Sequence, residues 1–262
     1  MPLAKDVALK VPAVRRLKED RDALQTKVKQ LERETEKLRR ELAVERDDKD
    51  YDYVFIVTYG RTGSTLLQGL LNSIPGYLIR GENDGALEWM HESHRRMNKR
   101  IGTKKGSEPV NPWFGLDHYS PQEAAASIRR HLQQVFIKPE PDTRVTGFKE
   151  IRWWRHDLVE TLEFTRQVFP GARFVLNTRN PEDVSRSKWW AKYERDEALA
   201  KIADYDARLE RAHRELGDLT YPLHYDDYVA DPGVFEGLFQ WLGESFDREQ
   251  VDRVMATRHS VG

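Results

Sequence analysis

The stretch YDYVFIVTYGRTGSTLL, residues 51–67, narrows the possible folds more than any other part of the chain. YDYVFIV is apolar at both alternating positions, which marks a strand buried on both faces, as in a parallel sheet. It runs into YGRTGST, a turn holding two glycines, and then into the helical run LLQGLLNS. A strand, a tight turn and a helix in that order gather backbone N–H groups and the positive end of a helix dipole at one spot, where an anion such as phosphate binds. Gly60 and Gly63 allow the backbone close to a ligand. Ser64 and Thr65 add hydroxyls, and Arg61 adds a permanent charge. The plain alternative is an ordinary strand-to-helix turn with Ser or Thr as its N-cap.

The pattern beyond it alternates. TRVTGFK (143–149) and ARFVLNTR (172–179) read as strands, and TYPLHYDDY (220–228) as a weaker one. Helical patterns occupy 121–135, 156–168, 182–215, 232–242 and 246–256. Such alternation predicts an α/β fold, a parallel sheet flanked by helices on both faces. Ligands in these sheets bind at the carboxyl ends of the strands, which puts Tyr59–Ser64, the end of GFK and the end of NTR on one rim. Residues 99–120 read as a long loop bordering a substrate cleft.

Residues 1–50 follow another rule. Leu17, Leu24, Leu31 and Leu38 recur every seventh residue, with Val14, Arg21, Val28, Thr35 and Leu42 at the matching a positions. This heptad pattern predicts an N-terminal coiled-coil segment, and Lys27–Glu32 and Glu34–Arg39 are attractive across a parallel homodimer. Packing of the helix onto its own chain is the competing arrangement. The globular domain then spans 51–262.

Composition removes several classes. A net charge of −1 gives no general affinity for nucleic acid, so any anion site is local. The chain has no cysteine, hence no disulfide, thiolate metal site or cysteine nucleophile. It shows no signal-peptide pattern and no run of about 18 apolar residues, so the expectation is a cytoplasmic protein with no membrane span.

TYGRTGSTLL resembles the 5′-phosphosulfate loop of the sulfotransferases that use 3′-phosphoadenosine 5′-phosphosulfate (PAPS), written T-Y-P-K-S-G-T-T-W in their cytosolic branch. Arg61 falls on the catalytic lysine of that pattern, as in bacterial and carbohydrate-type members. A second motif of the family, a strand running into R-x(7)-S, matches Arg179 and Ser187 in FVLNTRNPEDVSRS. HYDDYVADP, with Tyr225, is similar to the family's Y-E-D-[LM]-x-x-D-P. The resemblance covers roughly 53–243 and implies a P-loop-like sulfotransferase fold. It further implies that Gly60, Arg61, Thr62, Gly63, Ser64 and Thr65 cradle the 5′-phosphosulfate. Arg179 and Ser187 would hold the 3′-phosphate, and Tyr225 would join the donor site. The product would be adenosine 3′,5′-bisphosphate, and no metal is required. The family closes its donor site with a C-terminal Arg-Gly loop; here only TRHSVG, with Arg258, stands near that place.

On the acceptor side the resemblance implies a glutamate base after the first helix and the next short strand, which is Glu82 in RGEN. Asp84, His91 and His94 are rivals, the two histidines reading as solvated helix residues rather than metal ligands. Lys149, at the end of GFK, touches the acceptor or the transferring group, or is a strand-end lysine in water. Trp113, Trp153 and Trp154 are candidates for stacking on a sugar or for the core, and Trp189 and Trp190, which share a predicted helix with Ser187, are candidates for covering the adenine or for simple packing. The implied acceptor is a hydroxyl on a carbohydrate or glycolipid, with a small-molecule alcohol or phenol second. Two other classes stay open: a metal-dependent P-loop nucleotide kinase or hydrolase, and a non-enzymatic coiled-coil scaffold. The kinase reading lacks the G-x-x-x-x-G-K-[ST] spacing and an acidic residue at the end of RFVLNTR.

Overall fold

The computed structural model describes residues 12–47, 51–101 and 108–256, with the side chains of the first helix described from Arg16 to Thr35. The chain divides into two units, residues 1–50 and 51–262. In the first, α1 (Pro12–Asp47) is one unbroken helix. Its seam residues Leu17, Leu24, Val28 and Leu31 are exposed along the single chain. Leu38, Leu42 and Val14 lie outside the described side chains.

The second unit carries five strands: β1 (Asp52–Val57), β2 (Tyr77–Arg80), β3 (Val145–Glu150), β4 (Arg173–Thr178) and β5 (Thr220–His224). They form one sheet in the order β2-β3-β1-β4-β5, with every neighbouring pair parallel. β1 is central, and every residue of it after Asp52 is buried, so both of its faces meet core. Tyr53, Phe55 and Val57 face one layer, where Phe55 meets Phe148, Phe169 and Phe174. Val54 and Ile56 face the other, among Leu67, Leu70 and Leu71. Each such fully buried side chain contributes about 1.5–3 kcal/mol.

The helices cover both faces. α2 (Ser64–Ser73), α8 (Tyr225–Ala230), α9 (Phe235–Leu242) and α10 (Arg248–Met255) pack with Val54 and Ile56. α3 (Ala86–Arg100), α4 (Pro121–Leu132), α5 (Leu158–Val168), α6 (Pro181–Ser185) and α7 (Arg195–Leu216) pack with Phe55. This is the α/β arrangement expected from the sequence.

Three expectations need correction. The helix predicted over 182–215 is two helices, separated by turns at residues 186–194, because Trp190 is buried there against the phosphate-loop turn. The strand predicted over 220–228 stops at His224, and Tyr225 opens α8. The loop predicted from residue 99 starts later, since α3 runs to Arg100, and Leu116–His118 form a 3-10 turn within it. Residues 102–107 lie outside the described residues.

Candidate active site

The turn between β1 and α2 is held from behind. The Thr58 hydroxyl meets that of Thr62 at 2.6 Å and donates to the Asn177 carbonyl at 2.7 Å. Asn177 Nδ2 donates to the Thr62 carbonyl at 2.9 Å, and Tyr228 donates to Asn177 Oδ1 at 3.2 Å. Trp190 Nε1 donates to the Gly60 carbonyl at 3.1 Å, and Arg179 Nη1 to the Arg61 carbonyl at 3.3 Å. With the carbonyls of Gly60, Arg61 and Thr62 taken by protein donors, the turn is left to offer N–H groups outward.

α2 begins at that turn and has no side-chain cap at Gly63. Four helices of the fold carry one, from Ser120 for α4, Asp157 for α5, Asn180 for α6 and Asp247 for α10, while α3, α7, α8 and α9 also lack one. The ordinary capped turn weighed from sequence is therefore not what is built. Arg61 lies at φ 76°, in the left-handed region that non-glycine residues seldom adopt. Gly63, at φ 75°, is needed twice over: a Cβ there would stand 2.0 Å from the Tyr225 ring.

The second group of residues lies beside this turn. Arg179 follows β4, and its guanidinium carbon sits 4.5 Å from the centre of the Tyr225 ring. Arg179 Nε and Ser187 Oγ are buried and have no hydrogen-bond partner. Buried polar atoms are almost always satisfied, so two orphans on the residues of one motif point to an anion that completes them. Trp189, half-exposed, lies on the other side of the turn; a Cβ on Gly60 would be 3.2 Å from its ring. A cavity of about 440 Å³ runs along the ends of β4 and β5, with Thr178, Arg179, His224 and Asp227 in its wall.

The third group lies across β1, at the ends of β2 and β3. Lys149 pairs beside Ile56 of β1 and shares a side of β3 with Val145, the side that α2 covers. Its ammonium is nearly buried and meets Glu82 Oε1 at 2.6 Å. Arg152 Nη1 stands 3.1 Å from Asp84 and 3.7 Å from Glu82 Oε2. Glu82 is thus paired with Lys149, whereas the neighbouring Arg80 is used elsewhere, donating to the carbonyls of Ile137 and Lys138. Lys149 is not a lysine in water.

Residues 52–248 match the sequence profile of the sulfotransferase family. The chain belongs to the sulfotransferase family. No individual curated protein matches it. Among solved structures it resembles the sulfotransferase domain from the curacin biosynthetic pathway, at TM-score 0.53 and 16% identity over 82% of this chain and 81% of that one. The sulfotransferase domain of the Synechococcus PCC 7002 olefin synthase aligns at TM-score 0.48 and 19% identity, over 81% and 80%. A sulfotransferase from Alicyclobacillus acidocaldarius aligns at 0.47 and 14%, over 79% and 90%. At 16% identity the first of these is a likeness of fold.

Within this sulfotransferase, Gly60 to Thr65, Arg179, Ser187 and Tyr225 come together around one turn, and Glu82 and Lys149 meet each other. Arg258 lies outside the described residues. His91 and His94 are a correction: both are buried, at 3% and 6% exposure, instead of solvated. His91 stacks on Phe164 with ring centres 4.5 Å apart, and burial lowers its pKa to about 4. His94 Nδ1 meets the Tyr119 hydroxyl at 2.8 Å. Among the described residues, no group of three or more His, Asp or Glu is placed to hold a metal ion. Trp153 and Trp190 are core, and Trp154 stacks on Tyr205 at 4.2 Å. Trp113 stays partly exposed under the guanidinium of Arg100. Asn177 and Tyr228 were invisible as site residues in the sequence, and Trp190 was in view only as a helix neighbour of Ser187. They act through contacts that only the sheet creates, although Asn177 stands inside the NTR motif.

Proposed function

We propose that the chain transfers a sulfuryl group from PAPS to an acceptor hydroxyl. One observation carries the reading. The Arg179 guanidinium lies beside a helix start that has no side-chain cap, its Nε is buried and unpartnered, and so is Oγ of Ser187 in the same motif. Arginine binds phosphate bidentately, and an uncapped helix start takes a second phosphate, so two anionic groups of one ligand have separate cradles. The Tyr225 ring, against Gly63 and under Arg179, supplies an apolar floor between them.

Bound there, the donor supplies the sulfuryl group. The protein's own residues do the rest. Arg61 holds positive charge where negative charge develops on the bridging oxygen. Glu82 takes the acceptor proton, and Lys149 fixes the direction of the Glu82 carboxylate. Asn177 and Trp190 keep the turn in its strained form so that Arg61 is aimed before the donor arrives. The acceptor hydroxyl is placed first on a carbohydrate or glycolipid, with the partly exposed Trp113 as an aromatic face for a sugar ring, and second on a small-molecule alcohol or phenol. α1 associates as a parallel homodimer, since Leu17, Leu24, Val28 and Leu31 gain burial only with a partner.

Calorimetric titration with adenosine 3′,5′-bisphosphate and with ADP, both without magnesium, tests the donor. Tight binding of the bisphosphate alone, weakened in Arg179→Ala, is the expected result. Equal or absent binding of the two overturns the reading and returns the nucleotide kinase or scaffold alternatives.

A further inference from the structure

Glu150 is a buried carboxylate with no part in the scheme above. It ends β3, next to Lys149, and is 2% exposed. Burying a carboxylate costs several kcal/mol unless it is fully hydrogen-bonded. Here four backbone amides donate to it. Oε2 accepts from Asn83 and Gly85, each at 2.9 Å, and Oε1 accepts from Ile151 at 2.7 Å and Arg152 at 3.0 Å. The nearest recorded cation, Arg152 Nη1, is 3.9 Å away, so the backbone does most of the neutralising.

The two halves of this arrangement differ in reach. Ile151 and Arg152 are Glu150's own neighbours along the chain. Asn83 and Gly85 belong to the loop after β2, far away in sequence. That loop adopts a shape that needs support: Asp84 at φ 59° and Gly85 at φ 73° are consecutive left-handed residues. A non-glycine residue so placed costs on the order of 1 kcal/mol or more.

We propose that Glu150 is a positioning residue, a latch that clamps the 83–85 loop to the end of β3 and thereby sets Glu82 against Lys149. The proposal rests on the reading of Glu82 and Lys149 as the acceptor-side pair. Glu82 immediately precedes the first latched amide, and Lys149 immediately precedes the latch itself. The 2.6 Å pair is therefore fixed by backbone at both of its roots. Only a carboxylate serves. Glutamine has one acceptor oxygen, and its NH2 group faces N–H donors at the other position. The local pair, Ile151 and Arg152, keeps the remaining oxygen, and the 83–85 loop is released.

Three measurements test this without knowledge of the acceptor. Hydrogen exchange of the wild-type chain should show the Asn83 and Gly85 amides protected, although they lie in a loop. Acetylation of lysines, read by peptide mass spectrometry, should find Lys149 slow beside Lys192. Glu150→Gln should raise both the loop exchange and the Lys149 labelling about tenfold, the size of a lost interaction of about 1.4 kcal/mol. Glu82→Gln should raise the labelling alone. Glu150→Asp keeps the charge with a shorter reach and should fall between. Adenosine 3′,5′-bisphosphate affinity should stay within about twofold in all three, as expected of sites whose energies add independently. Free exchange at Asn83 and Gly85 in the wild type overturns the latch outright, even if Glu150→Gln does not fold. Wild-type labelling in a folded Glu150→Gln overturns it as well. Failure of the bisphosphate to bind wild type would remove the donor reading and leave the exchange result standing.

Discussion

The two halves of the rim are built on opposite principles. Around Arg179 and Ser187, buried polar atoms are left without partners, and the helix start beside them has no cap. Around Glu82 and Lys149, every charge is already answered inside the protein, by Arg152, by Asp84 and by the amides on Glu150, and the buried atom left without a partner there, Asn83 Nδ2, is uncharged. Under the proposed function, the difference suits what each half would do. A dianion of fixed shape is held best by groups that wait for it, at a standing cost to the folded state. A carboxylate that accepts a proton must be aimed but not committed to a ligand, and a closed ion-pair cluster does that.

This contrast can be broken in several ways. The largest effect belongs to Arg61. Arg61→Ala should lower the transfer rate from PAPS about 100- to 1000-fold, as removal of a transition-state charge partner does. Arg61→Gly should lose the same activity and yet unfold at higher urea, because relief of the left-handed φ of 76° is worth about 1 kcal/mol. A variant both inactive and less stable would contradict the strain.

Arg179→Ala should weaken adenosine 3′,5′-bisphosphate about 100-fold, within the range for a charged hydrogen-bond partner. If Glu82→Gln weakened it equally, the two halves would not be separate. The effect is read by calorimetry.

The helix that follows the Glu82 loop should instead be sensitive to pH. On α3, burial lowers the pKa of His91 to about 4 and raises that of Glu88 to about 7. A lowered histidine gives stability that is present above about 6.5 and lost as pH falls toward 4. A raised carboxylate gives stability that is present below about 4.5 and lost as pH rises through 7. The two oppose each other. Glu88→Gln should therefore lose about 2 kcal/mol between pH 7 and pH 4.5, and His91→Leu should gain about as much. Urea midpoints at the two pH values check both signs.

Ser187→Ala is the sharpest small test. Its hydroxyl has no partner within the protein, so melting should be unchanged while bisphosphate affinity falls by about 1 kcal/mol. Smallest of all for the globular unit, Leu24→Ala with Leu31→Ala should turn a dimer into a monomer in sedimentation and leave the melting of residues 51–262 alone.

Legibility followed the same division. On the proposed reading, the donor half is written in contiguous stretches, TYGRTGST and the R-x(7)-S spacing, which local geometry keeps together. The parallel sheet was readable from the unbroken apolar run of β1. The acceptor half was only partly readable. Glu82 and Lys149 were each in view, but their pairing depends on β2 and β3 being neighbours, which no local pattern states. The burial of His91 was hidden because Phe164, which covers it, lies on another helix. The break after Ser185 was hidden for a related reason. Residues 186–194 carry ordinary helical composition, and the pull of Trp190 toward the Gly60 carbonyl overrides it.

The Tyr225 ring occupies the space that any side chain at position 63 would need. Gly63 and Tyr225 are therefore sterically coupled, although they stand in distant motifs. A smaller residue at 225 would not free position 63, whose φ of 75° still favours glycine, and it would strip Arg179 of the ring beneath it. One contact between a ring and a backbone therefore decides which side chains both motifs can carry.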